Sequence, residues 1–260
     1  MKNLFFAALL ALLFVPVLAI AQSPFDGTWK WDPSSTQWPT KPDVFLLQNG
    51  MFECKTCVPP IKVKADGTDQ KVAGSPYLDT LSVKVIDDHN VEEAAKKDGK
   101  VVETLKRSVS SDGNTLTFNW TYSGNPSGGP QTGTDTAKRV AKAPAGANLI
   151  SGSWRTEKVD MSATTWTFKA NGNELTSTDS TGSSYTAKLD GTDAPYKGDP
   201  GITSVSVKML GRDTLEETFK RDGKVIEIHK VTVSTDGKTL KVISEDKLRG
   251  TTTKSVAQKQ

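Results

Sequence analysis

The chain repeats itself in an almost unbroken register. Residues 62–118 can be laid over residues 186–242 with a constant offset of 124 and no gap, and 25 of the 57 positions are identical. Upstream, Gly27-Thr28-Trp29 matches Gly152-Ser153-Trp154 at an offset of 125. Self-similarity at a fixed period indicates a duplicated structural unit, here of about 110–120 residues. The duplication constrains the architecture of the chain more than any other feature does.

The first 21 residues are typical of a secretory signal peptide. Lys2 gives a positive start, residues 4–18 are almost wholly apolar, and Ala19-Ile20-Ala21 supplies the small-x-small pattern that signal peptidase cleaves. The apolar run is short for a retained membrane-spanning helix. We therefore expect residues 1–21 to be removed and the protein to be periplasmic or secreted, without being embedded in a membrane.

Positive and negative residues are interleaved along the rest of the chain. The sequence holds 33 Lys and Arg against 30 Asp and Glu, a formal net charge of +3, and no block of basic residues forms. Nucleic-acid binding requires a basic patch or stripe, which this pattern lacks. We expect an ordinary solvated surface, no nucleic-acid partner and a monomer.

An Asp-Gly or Asn-Gly pair recurs between runs that are rich in Val, Thr, Leu and Ile. The pairs are Asn49-Gly50, Asp66-Gly67, Asp98-Gly99, Asp112-Gly113, Asn171-Gly172, Asp190-Gly191, Asp222-Gly223 and Asp236-Gly237. Such pairs accept positive φ at both central positions, as type I′ hairpin turns require, and the runs between them suit half-buried strands. No stretch after the signal peptide has a sustained apolar period of 3.6 residues. The pattern predicts an all-β protein built from antiparallel meanders.

Two tandem barrels are the architecture that we expect from these meanders. A meander with one apolar face exposes two edges, and closure into a barrel removes them. The small residues of the stretch 141–147 are typical of a linker. We place one barrel at residues 23–142 and the other at residues 148–260. One larger barrel or sandwich that shares strands from both halves remains the alternative.

The turn at Asp222-Gly223 predicts which side chains of its hairpin face inwards. On a two-residue turn Glu217 and Phe219 face the interior, and His229 faces outwards. The inner set changes parity farther along the second strand, which indicates a β-bulge. We expect that bulge near His229-Lys230, with its counterpart near Leu105-Lys106.

The only two cysteines, Cys54 and Cys57, have a C-x-x-C spacing. In an oxidising compartment this spacing favours a local disulfide. A redox-active pair is the alternative, but Val58-Pro59-Pro60 replaces the helix N-terminus that such a site uses to lower the cysteine pKa. A zinc site would need further ligands, and the chain holds only His89 and His229. We expect a disulfide, no metal and no cofactor.

Glu93 and Glu217 are the candidate polar anchors for a ligand, because both copies keep a carboxylate on the predicted inner face. A carboxylate that faces an apolar lumen is costly unless it is paired or hydrogen-bonded. It either orients a ligand inside the barrel or lies at the rim, paired with Thr104 or a lysine. The two interpretations stay open.

Aromatic residues on the same face fill a core first and form a ligand wall second. The candidates for such a wall are Phe118 and Trp120 in the first unit and Phe219 in the second. Thr104 is a further candidate, and with Ala95 it makes the inner face of the first unit smaller than that of the second. We therefore expect any ligand to lie in the first barrel.

The G-x-W segments at Trp29 and Trp154 resemble the opening of the first strand in the lipocalin or calycin superfamily. The D-G-x-D-x-P-x-x-G loop at residues 190–198, the D-G-K-V hairpins and the S-x-D-G-x-T-L turn are similar to those of exported bacterial lipocalin-like proteins without an assigned function. The resemblance implies antiparallel barrels of eight to ten strands. It also implies that Trp29 and Trp154 close the barrel bottoms, each against a basic residue of a last strand.

The residues that this resemblance suggests for the basic partner are Lys138 or Arg139 in the first unit and Lys254 in the second. The resemblance implies no catalytic residues, and the sequence has no Ser-His-Asp arrangement, phosphate loop or dinucleotide fingerprint. We expect a protein that is not an enzyme and that binds a small apolar or amphipathic ligand. A structural or protein-interaction module with filled barrels is the alternative, and an enzyme of the calycin type is a third hypothesis.

Overall fold

A computed structural model describes residues 23–160 and 164–260, so the predicted signal peptide at residues 1–21 lies outside the described part. The described residues form twenty strands and no helix, and hence no helix long and apolar enough to cross a membrane. The strands are β1 (Gly27–Gln37), β2 (Asp43–Gln48), β3 (Met51–Cys54), β4 (Ile61–Lys64), β5 (Asp66–Lys71), β6 (Thr80–Val85), β7 (Asn90–Lys97), β8 (Lys100–Val109), β9 (Thr115–Tyr122), β10 (Gln131–Ala141), β11 (Gly152–Lys158), β12 (Thr165–Asn171), β13 (Glu174–Asp179), β14 (Ser184–Lys188), β15 (Asp190–Lys197), β16 (Ser204–Met209), β17 (Thr214–Arg221), β18 (Lys224–Val233), β19 (Thr239–Asp246) and β20 (Thr251–Lys259).

The strands form two antiparallel sheets of ten strands each. One sheet, here called barrel 2, is closed and runs β1-β12-β13-β14-β15-β16-β17-β18-β19-β20. The other, barrel 1, runs β4-β3-β2-β11-β10-β9-β8-β7-β6-β5 and is nearly closed. The prediction of an all-β fold with two antiparallel barrels is confirmed.

The first strands of the two repeats are exchanged between the barrels. Strand β1 lies between β12 and β20, so Trp29 is opposite Trp166 on one side and Lys259 on the other. Strand β11 lies between β2 and β10, so Trp154 is opposite Asp43 and Arg139. Each barrel therefore takes nine strands from one repeat and its first strand from the other.

This exchange corrects the expected assignment of residues 23–142 to one barrel and 148–260 to the other. The chain passes from one barrel to the other between β1 and β2 and again between β11 and β12, whereas the predicted linker at 141–147 belongs to a connection within barrel 1. Nine strands of each repeat lie together in one barrel, and the first strand of each repeat lies in the other barrel.

Two properties of the sequence are consistent with the exchange. Both first strands begin with a G-x-W segment, so either strand matches either barrel. The connection after β1 contains Pro39 and Pro42, and proline cannot donate a hydrogen bond to a strand ladder. The segment therefore resists folding back as a tight hairpin onto β2.

Trp29 and Trp154 are both fully buried, and their indole N–H groups donate hydrogen bonds of 2.8 Å to main-chain carbonyls four residues upstream. The Arg139 guanidinium lies 3.9 Å from the centroid of the Trp154 ring, and Lys259 Nζ lies 5.1 Å from that of Trp29. Of the expected basic partners, Arg139 is observed, but against the tryptophan of the other repeat. Lys259 takes the place suggested for Lys254, because the register puts Lys259 opposite Trp29.

The β-bulge in the hairpin β17–β18 lies three residues before its predicted position. Phe219 is opposite Glu227 and Lys220 is opposite Val225, which makes Ile226 the extra residue. From that point on, the alternation of side chains is inverted relative to the prediction. Glu217 is therefore opposite His229, and His229 faces the interior instead of the solvent.

The same bulge occurs at Val102 in the hairpin β7–β8, where Ala95 is opposite Glu103 and Lys96 is opposite Val101. It turns Thr104 to the outer face of barrel 1, where its side chain is exposed. The prediction that Thr104 lines the lumen is therefore wrong, because one extra residue moves every following side chain to the opposite face.

Barrel 1 is open between two strands whose counterparts in barrel 2 are hydrogen-bonded to each other. In barrel 2, β14 and β15 pair through Tyr185 and Tyr196 and through Ser184 and Lys197. The equivalent strands of barrel 1, β4 and β5, are the two edges of its sheet. Pro60 stands at the position equivalent to Ser184 and has no N–H group with which to join a ladder.

The two barrels also contact each other directly. Arg249 forms an ion pair with Asp43. Tyr77 packs on Gly201, where an added Cβ atom would lie 2.1 Å from Tyr77 Oη. Positions 77 and 201 are equivalent in the two repeats, and contact between equivalent positions indicates a pseudo-two-fold relation between the barrels.

The strand exchange predicts which strands a cross-link can join. We expect Lys30→Cys and Gln258→Cys together to form a disulfide, because these residues are opposite each other on β1 and β20 and directly opposed strand residues have suitable Cα separations. Lys30→Cys with Lys138→Cys should remain reduced, because Lys138 takes the same place on β10. Mass-spectrometric peptide mapping separates the outcomes, and a cross-link in the second variant alone would contradict the exchange.

Candidate functional site

A cavity of about 560 Å³ lies between the open side of barrel 1 and the facing end of barrel 2. Both barrels contribute apolar side chains to its wall, among them Phe45, Ile61, Leu78, Phe118, Ile226 and Leu248. Cys54 and Cys57 also line it and form a disulfide with a Cα–Cα distance of 5.5 Å. The predicted pairing of the cysteines is thus present, and the bond lies in the cavity wall.

Arg107 carries a buried positive charge beside this cavity. Its guanidinium forms an ion pair with Glu93, and the two side chains are only 9% and 8% exposed. The Nε and Nη2 groups both donate to the Glu93 carboxylate, the latter at 3.3 Å. The predicted inner carboxylate of barrel 1 is therefore paired, but with Arg107 instead of with Thr104 or a lysine.

The guanidinium of Arg107 is also enclosed by aromatic rings. Its Cζ atom lies 4.4 Å from the centroid of the Phe45 ring and 5.0 Å from that of Phe118, and both rings line the cavity. Within the described residues its Nη1 group is buried and has no hydrogen-bond partner. A buried N–H group without an acceptor is costly, so Arg107 leaves one hydrogen-bonding demand unmet beside the cavity.

Barrel 2 has a smaller interior cavity of about 170 Å³ with a different polar group in its wall. Glu217 is buried and accepts a hydrogen bond from the Tyr185 hydroxyl. His229 lies between two carboxylates, with Nδ1 3.4 Å from Glu217 Oε2 and Nε2 2.9 Å from Glu227 Oε1. The Phe219 ring packs against the imidazole at a centroid distance of 4.8 Å.

The charges of this group are coupled. Burial disfavours the charged imidazole, but the hydrogen bonds and charges of Glu217 and Glu227 outweigh it and raise the pKa of His229 to about 10. Burial also opposes the charge of Glu227, yet the hydrogen bond from His229 keeps the pKa of that carboxyl low. His229 is therefore a cation at neutral pH, held by two carboxylates.

The two barrels have carboxylates at equivalent interior positions, but the cation that pairs with them is an arginine in barrel 1 and a histidine in barrel 2. Glu93 and Glu103 are equivalent to Glu217 and Glu227. In barrel 1, burial and then the charge of Glu93 raise the pKa of Glu103. Arg107 was not among the predicted site residues and His229 was predicted to face outwards, although a carboxylate duplicated on an inner face was itself a signal that a cation lies opposite.

The remaining predicted site residues are only partly brought together. Phe118 lines the cavity between the barrels, Glu93 is paired with Arg107 of its wall, and Phe219 and Glu217 line the cavity of barrel 2. Trp120 packs instead over Gly133, where an added Cβ would lie 2.3 Å from its Cζ2 atom. The ligand-binding roles of these residues stay predictions. In the two described ranges no group of three or more His, Cys, Asp or Glu is arranged to hold a metal ion.

The Arg107–Glu93 pair predicts a specific pattern of stability. We expect Arg107→Met to lower the free energy of unfolding by about 3–5 kcal/mol, because it leaves a buried carboxylate without its partner. Arg107→Met combined with Glu93→Gln should regain most of that loss. Urea denaturation of the single and double variants measures the coupling, and additive losses would contradict a coupled buried pair.

The raised pKa of His229 predicts that stability falls with rising pH. The imidazole binds its proton more tightly in the folded protein than in the unfolded chain, so its contribution is complete below pH 6.5 and is lost as the pH rises through about 10. The slope in that window is on the order of 1 kcal/mol per pH unit. Thermal denaturation from pH 6 to 10 measures it; His229→Gln should flatten the profile and His89→Gln should leave it unchanged.

No protein-family model matches the chain, and a search of curated proteins finds no significant match.

Proposed function

We propose that the protein is an exported binding protein of lipocalin type that holds a small apolar or amphipathic ligand between its barrels. The observation that carries the proposal is the 560 Å³ cavity, whose walls combine apolar side chains with a few polar groups. Cavities of a few hundred to about 1,000 Å³ with such walls are the usual size for small-molecule sites. A barrel packed entirely by its own side chains would leave no such space.

Arg107 supports a ligand that carries a hydrogen-bond acceptor at one end. Its Nη1 group lacks a partner, while Glu93 already balances its charge. An acceptor such as a carbonyl, hydroxyl or carboxylate oxygen would satisfy the free N–H group after a small movement of the enclosing side chains. The Phe45 and Phe118 rings beside it would contact the apolar part of the same ligand.

The opening between β4 and β5 supports access from the solvent. Val58, Pro59 and Ile61 precede or begin β4, and Tyr77 follows β5; all four line the cavity. Because these two strands are unpaired, a ligand can enter barrel 1 without breaking main-chain hydrogen bonds. The equivalent strands of barrel 2 are joined, which restricts access along the same line.

The proposal is tested with 1-anilinonaphthalene-8-sulfonate, an amphipathic fluorescent probe. We expect it to bind with enhanced fluorescence, and Leu78→Trp to weaken binding by about tenfold or more because the indole fills the cavity. The matched control is Ile202→Trp, the same change at the equivalent position of barrel 2. It should weaken binding much less.

Native mass spectrometry of protein purified from its own host provides an independent measurement. We expect a small molecule to be retained by the natural protein and lost in Leu78→Trp. No retained molecule together with no probe binding would contradict the ligand-binding function and favour the alternative, a module that acts through its surface alone. Equal effects of Leu78→Trp and Ile202→Trp would contradict the assignment to this cavity.

A further inference from the structure

The interior cavity of barrel 2 differs from the larger cavity in its charge. Its wall contains three carboxylates, Asp179, Glu217 and Glu227, and one imidazolium, His229. Among the described residues, no lysine or arginine lines it. The wall therefore carries an excess of negative charge that its own side chains do not neutralise.

One of the two tyrosines in this wall, Tyr196, lies within the influence of nearby carboxylates. Burial, and then the charges of Asp179, Asp199 and Glu217, raise the pKa of Tyr196. A neighbouring negative charge disfavours a phenolate and favours a cation at the same place. The region next to Tyr196 is thus electrostatically suited to a positive group.

The same cavity is rich in aromatic rings, which bind cations through their faces. Its aromatic wall residues are Trp166, Phe168, Tyr185, Tyr196 and Phe219. Tyr196 and Phe219 meet edge to face with centroids 5.8 Å apart, and Tyr185 and Tyr196 are inclined at 37° with centroids 6.1 Å apart. Aromatic faces combined with carboxylates are the chemistry that recognises organic ammonium ions.

We propose that barrel 2 holds a second binding site, specific for a small organic ammonium ion, in its aromatic and acidic interior cavity. The cavity volume of about 170 Å³ limits the ligand, because a space of about 150 Å³ holds a molecule of benzene size. Glu227 lines both cavities, so the ammonium site adjoins the larger chamber. The site does not depend on the ligand proposed for barrel 1.

The test compares choline with 3,3-dimethylbutan-1-ol, its uncharged analogue of the same shape, by isothermal titration calorimetry on the full chain. We expect choline to bind and the alcohol to bind at least about tenfold more weakly, because only the cation interacts with the ring faces and the carboxylates. Equal affinities for the two compounds, or no binding of choline, would overturn the proposal.

Two variants locate the binding. Glu227→Gln should weaken choline binding by about tenfold, because it removes one unit of negative charge from the wall. The matched control is Glu103→Gln, the same change at the equivalent position of barrel 1, which should leave the affinity unchanged. A loss of equal size in both variants would overturn the assignment to barrel 2.

A third variant separates binding from folding. Phe219→Leu keeps an apolar side chain next to His229 but removes a ring face, so choline affinity should fall while the weak binding of the alcohol stays the same. Circular dichroism melting confirms that each variant is folded before titration. A folded Phe219→Leu variant with unchanged choline affinity would overturn the role of the aromatic wall.

Discussion

The exchange of the first strands is the constraint on which the rest of the structure depends. Trp29 and Trp154 are the largest fully buried side chains, and each is fixed in the barrel of the other repeat. Neither barrel is complete without a strand from the other half of the chain. Two crossing connections therefore hold the barrels together, and the chamber between them is a consequence of the topology rather than of a chance contact between independent domains.

The shared bulge explains how the barrels diverged in their polar interiors. A bulge at Val102 or Ile226 turns the next residues of β8 and β18 inwards, towards the duplicated carboxylates. Once that geometry exists, a cation at either of two successive inner positions can pair with them. Barrel 1 uses Arg107 and barrel 2 uses His229, so one backbone feature supports two different polar groups.

The sequence predicted what depends on local chemistry. Turn residues and β-type runs indicated the strand class. Both central residues have positive φ, as expected, at Asn49-Gly50, Asp98-Gly99 and Asp222-Gly223, whereas in the other five pairs only the glycine does. The facing of residues after a β-bulge was not predictable, because one extra residue moves every following side chain to the opposite face. Apolar alternation places His229 outside unless the position of the bulge is known. The exchange was also not predictable, because two nearly equivalent first strands satisfy the same pairings in either barrel.

The larger cavity, between the open side of barrel 1 and barrel 2, has a different origin from the one that side-chain volume suggested. The expectation rested on small inner residues, but Thr104 is exposed on the outer face. The difference lies in the main chain: β14 and β15 pair, and β4 and β5 do not. Pro60 and the disulfide segment beside it prevent the pairing that would close barrel 1. Pro60 and the Cys54–Cys57 disulfide, which have no counterpart in the second repeat, thus lie at this opening.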